Sequence, residues 1–246
     1  MSDIHRPVEP VRTTLSPVSP LLARLRAETH DAHERIEALP ELSCLMSSTL
    51  TENDYVRALR GLHAFHARMH ESLPRLLHGL GQHLAENAPV LGLETSGLHA
   101  LDEDLAWFAV GPHRKMRKPP SLTDGYAALG ALYVVEGSAL GARVIGRAVS
   151  ASLGVSPGQG GSFFCGASAD LARTRWQSFC AMLAAAEPVI AAAGEEAGCA
   201  RVVAGALSCF GALEEAICGS GSGARLAASR PAFPSSRPAP AGRTLN

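Results

Sequence analysis

A long segment without proline sets the strongest limit on the folds open to this chain. From Thr123 to about Leu153 the sequence is dominated by alanine, leucine, valine and glycine. Alanine and leucine have the highest intrinsic helix propensities, whereas strands favour β-branched and aromatic residues. The segment therefore predicts one long helix, against which the rest of the fold must pack.

The remaining sequence also favours helices. Aromatic residues make up only 5% of the chain, and no stretch shows convincing strand-like alternation of apolar and polar residues beyond four positions. Capping patterns place helix starts at Ser19 and Thr51, and Pro40 ends the first helix. The predicted helices cover residues 20–38, 51 to beyond 73, 102–110, 123–153, 170–193 and 195–218. We therefore predict an all-α, single-domain helical bundle.

Both ends of the chain differ from this pattern. Residues 1–19 contain several prolines and little apolar periodicity, and residues 219–246 are rich in glycine, serine and proline. Such segments bury too little apolar surface to offset the conformational entropy lost on folding. We predict disordered tails over 1–19 and 219–246, and one domain over 20–218.

Charge and cysteine usage narrow the class of protein. The formal net charge of −1 provides no field that would attract nucleic acid or anionic lipid. The cysteines show no paired spacing and the N-terminus lacks the apolar core of a secretory signal, so reduced thiols are predicted. Charged residues or glycine interrupt every apolar stretch before it reaches the roughly 18–20 residues that span a bilayer. These features predict a cytoplasmic protein without membrane or nucleic-acid partners.

The first predicted helix carries a histidine at the edge of its apolar face. At about 100° per residue, that face contains Leu22, Leu25, Thr29, Ala32 and Ile36. His33 lies at its edge, and His30 lies roughly 60° further towards solvent. Taken alone, His33 is more readily a core-edge histidine than a ligand. However, Glu37 one turn later can bond the ring, and Arg26 two turns earlier can pair with a ligand carboxylate.

Glycines recur on one face of the long helix. Gly130, Gly137 and Gly141 fall within roughly 40° of one another on the helical wheel. Each costs roughly 1 kcal/mol relative to alanine inside a helix, so something is expected to approach the backbone closely. Two interpretations remain open from the residues alone: another helix packs there, or a flat ligand lies there.

Two separated motifs resemble those of the haem oxygenase family. LRAETHDAH at 25–33 is similar to the first-helix pattern Leu-(Lys/Arg)-x-x-Thr-x-x-x-His, which ends in the histidine that binds haem iron. EGSALG at 136–141 resembles the bacterial form of the distal helix, E-G-S-x-L-G. GGSFFCG at 160–166 and WQSFCAML at 176–183 resemble haem oxygenases associated with bacterial phytochromes. The resemblance extends over about residues 20–218.

This resemblance implies an enzyme that opens haem to biliverdin and releases iron and carbon monoxide. Haem is then both substrate and cofactor, with O₂ as co-substrate and His33 as iron ligand. Electrons come from an external donor such as a ferredoxin or flavodoxin, because no flavin or nicotinamide motif is present. The resemblance implies a catalytic face formed by Gly137, Ser138 and Gly141. It implies haem-binding residues His33, Glu37, Arg26, Tyr133 and Arg175.

Three features depart from other members of the family. The chain has G-A-S at 166–168, where phytochrome-linked relatives often continue with G-Y-G. The other two departures fit the bacterial branch of the family. Ser138 replaces an aspartate that some members place after the first distal glycine, and Ala142 replaces a second glycine after Gly141. A phytochrome is a predicted acceptor of biliverdin. The alternatives are a non-catalytic haem carrier or sensor, and a thiamin-degrading enzyme on the same scaffold. The latter would need a nucleophilic cysteine among acidic residues, and no cysteine here has that setting.

Two polar clusters have simpler interpretations. His63, His66 and His70 share one helix face, but no clustered Cys or His partners suggest zinc, so a solvated face is favoured over a metal site. The basic run at 113–118 is interpreted as a solvated loop, with docking of an acidic electron donor as the alternative.

Overall fold

The computed structural model describes residues 19–78, 80, 96–111, 119–166, 168–192 and 194–219. Within these ranges 83% of the residues are helical and no strand is present, which confirms the predicted all-α class. A 3₁₀ turn at Cys44–Met46 follows the second helix. The helices are α1 (Pro20–Glu37), α2 (Pro40–Ser43), α3 (Glu52–His78), α4 (Ser96–Trp107), α5 (Gly125–Leu153), α6 (Ser162–Cys165), α7 (Ala169–Ala192) and α8 (Glu195–Gly219).

Helix α1 begins where the sequence predicts. The Oγ of Ser19 accepts a hydrogen bond from the Leu22 N–H at 3.1 Å, and Pro20 occupies the first helical position. Extended backbone at Leu39 separates α1 from α2. All five residues of the predicted apolar face are buried: Leu22, Leu25, Thr29, Ala32 and Ile36.

The other long helices also lie close to their predicted limits. The Oγ1 of Thr51 caps α3 by accepting a hydrogen bond from the Asp54 N–H at 3.2 Å. Asp124 caps α5 in the same way, by accepting a hydrogen bond from the Ala127 N–H at 3.0 Å, and Gly154 ends this helix with a φ of +70°.

The prediction for α4 was wrong at both ends, because the helix spans 96–107 rather than 102–110.

Helix α6 was not predicted, because its start depends on a distant side chain. The carboxylate of Asp104, on α4, accepts hydrogen bonds from the backbone N–H groups of Ser162 and Phe163 at 2.7 and 2.9 Å. Asp104 is completely buried. A cap contributed from another helix leaves no local sequence signal.

Helices α5 and α8 form the centre of the bundle, where their backbones touch. A Cβ added to Gly130 would lie 1.8 Å from the carbonyl oxygen of Val202. A Cβ added to Gly205 would lie 2.1 Å from the carbonyl oxygen of Ala127. Helices α1 and α3 pack against α8, and α7 packs against α5. The site described below therefore lies among helices that pack against α5 or α8.

Both central helices are long and apolar enough to cross a membrane, with mean hydropathies of 1.4 and 1.5 in their most apolar windows. The expectation that no stretch is long and apolar enough to span a bilayer is therefore wrong. A few glycine or charged residues reduce the mean hydropathy too little to exclude a spanning segment. Because α5 and α8 pack tightly through Gly130 and Gly205, we interpret both as core helices of the bundle.

The two predicted tails and the basic run at 113–118 lie outside the described residues. The predicted domain limits of 20–218 stay a prediction.

Candidate functional site

The His33 side chain projects from α1 at the edge of the core, as the helical wheel predicts. It is 55% exposed, and its Nδ1 lies 3.7 Å from Oε1 of Glu37. Its ring meets the ring of Phe210, on α8, edge-on at a centroid distance of 6.1 Å. Its Nε2 has no hydrogen-bond partner among the described residues. Glu37 and Phe210 thus border the ring while one nitrogen is left available to a ligand.

His30 makes a similar local contact but lacks the aromatic one. Its Nε2 lies 3.2 Å from Oε1 of Glu34, and its side chain is 66% exposed. Each histidine therefore has a glutamate one turn later, and contact with Phe210 distinguishes His33. Arg26, two turns before His33, is exposed and forms no ion pair with a described residue.

The glycines of α5 occupy two different environments. Gly130 is pressed against the backbone of α8, so the helix-packing interpretation is correct for that position. By contrast, nothing lies within 4 Å of a Cβ added to Gly141. A Cβ on Gly137 would meet only Cζ3 of Trp176, at an ordinary 3.7 Å. Described protein atoms therefore leave space above Gly141 that a ligand can occupy.

Exposed apolar side chains border that space. Leu140 is 41% exposed and Val144 is 56% exposed. On the helical wheel both lie within roughly 60° of Gly137, on the face that carries the open glycines. Large apolar side chains exposed together next to unfilled space indicate a surface that binds an apolar partner. The same wheel could have revealed this apolar border from the sequence, whereas the Phe210 and Trp176 contacts could not have been found that way.

Ser138 points to a different place from the two glycines. It is exposed and lines a half-open cavity of about 570 Å³ between α3, α4, α5, α7 and the region that follows α5. Its Oγ donates a hydrogen bond to the carbonyl oxygen of Val135 at 2.7 Å. The three residues predicted to form one catalytic face are therefore divided between the open glycine face and this half-open cavity.

The face of α3 that carries the three histidines borders this cavity. The prediction that this face is solvated is therefore wrong for most of it. His66 packs against Phe163 at a ring-centroid distance of 5.3 Å and lines the cavity. Burial lowers the pKa of His66 to about 4. His63 is 12% exposed and bonds Asp102 at 2.9 Å, and only His70 lies at the exposed surface. Among the described residues, no group of three His, Cys, Asp or Glu side chains is placed to hold a metal ion.

Comparison with known proteins identifies the fold and the family. The heme oxygenase family profile matches residues 19–215. The chain belongs to the haem oxygenase family. It is accordingly a haem-degrading enzyme, and haem is its substrate. This haem oxygenase has no match among curated proteins.

A solved structure gives the same fold. The NO- and CO-bound heme oxygenase of Neisseria meningitidis matches the present chain with a TM-score of 0.61 and 20% sequence identity. The match covers 85% of this chain and 98% of the other. An identity this low supports the arrangement of helices, and the roles of individual residues must be argued from their own contacts.

The remaining predicted haem-binding residues of this haem oxygenase lie where α5 meets α7. Tyr133 is half-buried, with ring centroids 6.0 Å from Trp176 and 6.2 Å from Phe179. Arg175 donates two hydrogen bonds to Glu136, both at 3.0 Å. Glu136 is completely buried, and Arg175 is 14% exposed. Arg175 thus supports α5 directly, through a partner that the sequence analysis missed.

Proposed function

We propose that this haem oxygenase opens haem to biliverdin and releases iron and carbon monoxide, with O₂ as co-substrate and electrons from an external donor. The observation that carries the proposal is the open space at Gly141. Elsewhere on the same helix there is no such space. A Cβ added to Gly130 or to Gly146 would lie 2.3 Å or less from a backbone atom of a neighbouring segment. The helix is therefore packed at these two glycines, and it has room for a planar substrate at Gly141.

His33 is the residue that we assign to the haem iron. A neutral imidazole nitrogen commonly binds haem iron, and the unpartnered Nε2 of His33 would hold the iron when haem binds. Glu37 lies beside Nδ1 on the other side of the ring, where a small movement from 3.7 Å would form a hydrogen bond. Such a bond fixes the ring orientation and increases the basicity of the coordinating nitrogen.

We assign Gly137 and Gly141 a steric role beside the bound substrate. Because they lack side chains, the backbone of α5 can approach a flat ring while space remains for a small molecule such as O₂. Leu140 and Val144 supply apolar contacts and limit the access of water. Bound haem supplies the iron at which O₂ is activated.

Ser138 contributes from the cavity side of α5. Its hydroxyl hydrogen is already donated to Val135, so its oxygen lone pairs remain available to accept hydrogen bonds from water in the cavity. Donation to a reacting oxygen would require the hydroxyl to rotate away from Val135. Ser138 is thus assigned to organise hydrogen bonding behind the glycines.

The charged edge of haem requires cationic partners. Arg26 is exposed, has no partner among described acidic residues and lies on the helix that carries His33, so we assign it to a propionate. Tyr133 packs beside the open glycines and is assigned to the rim of the substrate site. Arg175 is assigned to the same site through its contact with Glu136.

The partners follow from the chemistry of the reaction. An acidic ferredoxin or flavodoxin would supply electrons, and the basic run at 113–118 is the proposed docking segment. A phytochrome is the proposed acceptor of biliverdin. We propose a cytoplasmic location, where reduced thiols and reduced electron carriers coexist.

Reconstitution with haem tests the proposed reaction. The purified protein is titrated with haem and then given a reduced ferredoxin system and air. The proposal requires a Soret band, followed by its loss and by biliverdin that chromatography can identify. Haem binding without pigment would support the carrier or sensor, and no binding would exclude both functions.

A pair of neighbouring histidines tests the ligand assignment. His33→Ala should abolish the spectrum of histidine-ligated haem and reduce turnover at least a hundredfold. His30→Ala should retain both, since each histidine has the same type of glutamate neighbour and only His33 contacts Phe210. The reverse result would move the ligand to His30.

A further inference from the structure

A completely buried carboxylate lies directly before the open glycines. Glu136 has no exposed surface and sits among the apolar residues of α5. Removing a carboxylate from water costs several kcal/mol unless a partner compensates its charge. Burial accordingly raises the pKa of Glu136, although the neighbouring Arg175 guanidinium opposes that shift.

The compensating partner is held in a strict geometry. Nε of Arg175 bonds Oε2 of Glu136, and Nη2 bonds Oε1, both at 3.0 Å. Two parallel hydrogen bonds between planar groups fix their relative orientation as well as their separation. Beside the aromatic contacts of Tyr133, this ion pair therefore fixes the orientation of α7 against the middle of α5.

The next residue on each helix continues the contact. Gly137 follows Glu136, Trp176 follows Arg175, and a Cβ on Gly137 would lie 3.7 Å from the Trp176 ring. Beyond this point, nothing lies within 4 Å of a Cβ on Gly141, and close backbone packing is present again at Gly146. Glycines inside a helix permit bending. Within 137–145, Ala142 and Ile145 are only partly buried against the core, so the position of this segment is sensitive to the contacts at its ends.

We propose that Glu136 and Arg175 form a positioning clamp, which fixes the glycine segment of α5 against α7 and thereby sets the width of the haem cleft. Both residues act behind the glycines, and neither needs to touch haem. The inference rests on the proposed function for the ligand in the cleft. The clamp itself is a property of the protein without haem.

Hydrogen exchange of the haem-free protein tests the clamp directly. The double variant Glu136→Met with Arg175→Met removes both charges, and apolar replacement of a buried ion pair often preserves stability. We expect amides of 134–144 to exchange at least tenfold faster at an unchanged melting temperature. A matched control is Arg201→Met, which removes the Arg201–Asp124 ion pair at the start of α5. It should leave exchange in 134–144 unchanged.

Haem binding supplies the second measurement. The double variant should bind haem at least tenfold more weakly and alter the spectrum of the bound ferric haem, while Arg201→Met leaves both unchanged. Wild-type exchange rates in 134–144 together with wild-type haem affinity would overturn the clamp. If the wild-type chain binds no haem, the proposed function fails while the exchange result still decides the clamp.

A conservative variant covers the case in which the double variant does not fold. Arg175→Lys keeps the charge but cannot form the two parallel bonds. We expect exchange in 134–144 to increase at least threefold, with a smaller effect on haem affinity than in the double variant. Unchanged exchange in Arg175→Lys would equally overturn the proposal.

Discussion

Two parts of α5 contain the same residue type for opposite reasons. In the first half, Gly130 lets the backbone of α8 approach until no side chain fits, with a Cβ only 1.8 Å from a carbonyl oxygen. In the second half, Gly141 faces unfilled space. Both glycines lie on one face of the helical wheel. The difference shows that a glycine stripe can combine a structural contact with a ligand site, so the two interpretations of this stripe were not exclusive.

The largest effect is expected at the packed end. Gly130→Ala places a methyl group within the backbone of α8, which cannot move aside as a flexible side chain can. We expect the haem-free protein to lose about 3 kcal/mol or more of its free energy of unfolding. Urea unfolding followed by circular dichroism measures this loss. A cost below about 1 kcal/mol would contradict the tight contact between α5 and α8.

An exposed glycine of α8 is the matched control for that substitution. Nothing lies within 4 Å of a Cβ added to Gly211. Gly211→Ala should therefore stabilise the protein by up to about 1 kcal/mol through helix propensity alone.

At the open end, a large side chain should separate function from folding. Gly141→Leu fills the space assigned to the substrate, so turnover of haem should fall at least a hundredfold. The melting temperature of the haem-free protein should not fall below that of wild type, because the Cβ of the new side chain meets no described atom and leucine has nearly the helix propensity of alanine. Gly211→Leu is the control and should retain turnover. A large loss of stability in Gly141→Leu, with turnover intact, would show that Gly141 is packed like Gly130.

The cavity behind the open segment can be tested by pH. Burial holds the pKa of His66 at about 4, below the ordinary 6.5. Between these values the unfolded chain binds more protons than the folded one, so His66 makes stability decrease as pH falls from 6.5 to 4. The contribution is at most about 3 kcal/mol. Stability curves of wild type and His66→Gln should therefore converge as pH falls. Parallel curves would mean that water reaches His66.

The smallest effect is expected for a methyl group at the open end. Gly141→Ala meets no described atom, so helix propensity should stabilise the haem-free protein by about 0.5–1 kcal/mol. Equilibrium unfolding in urea measures the gain. Destabilisation would place an unseen neighbour above Gly141.

The sequence predicted most of the helical architecture because the signals are local. Ser19 and Pro20 mark the start of α1 in the sequence, although Glu187 of α7 also accepts a hydrogen bond from the Leu21 N–H. The period of the apolar residues identified all five buried positions of the predicted face. The same period placed His33 at the edge of the core. Local signals failed where a contact came from elsewhere, as for α6, whose cap is Asp104.

Residue types and helical periods by themselves determined the long helices, the buried face of α1 and the motifs of a haem oxygenase. Only the tertiary structure decided which glycine is packed and which is open, since that depends on the distance to α8 and α7. It also decided that Ser138 faces a cavity and that Arg175 bonds Glu136. The helical period fixes the direction in which a side chain leaves its own helix. The residue that this side chain meets belongs to another helix, far along the chain.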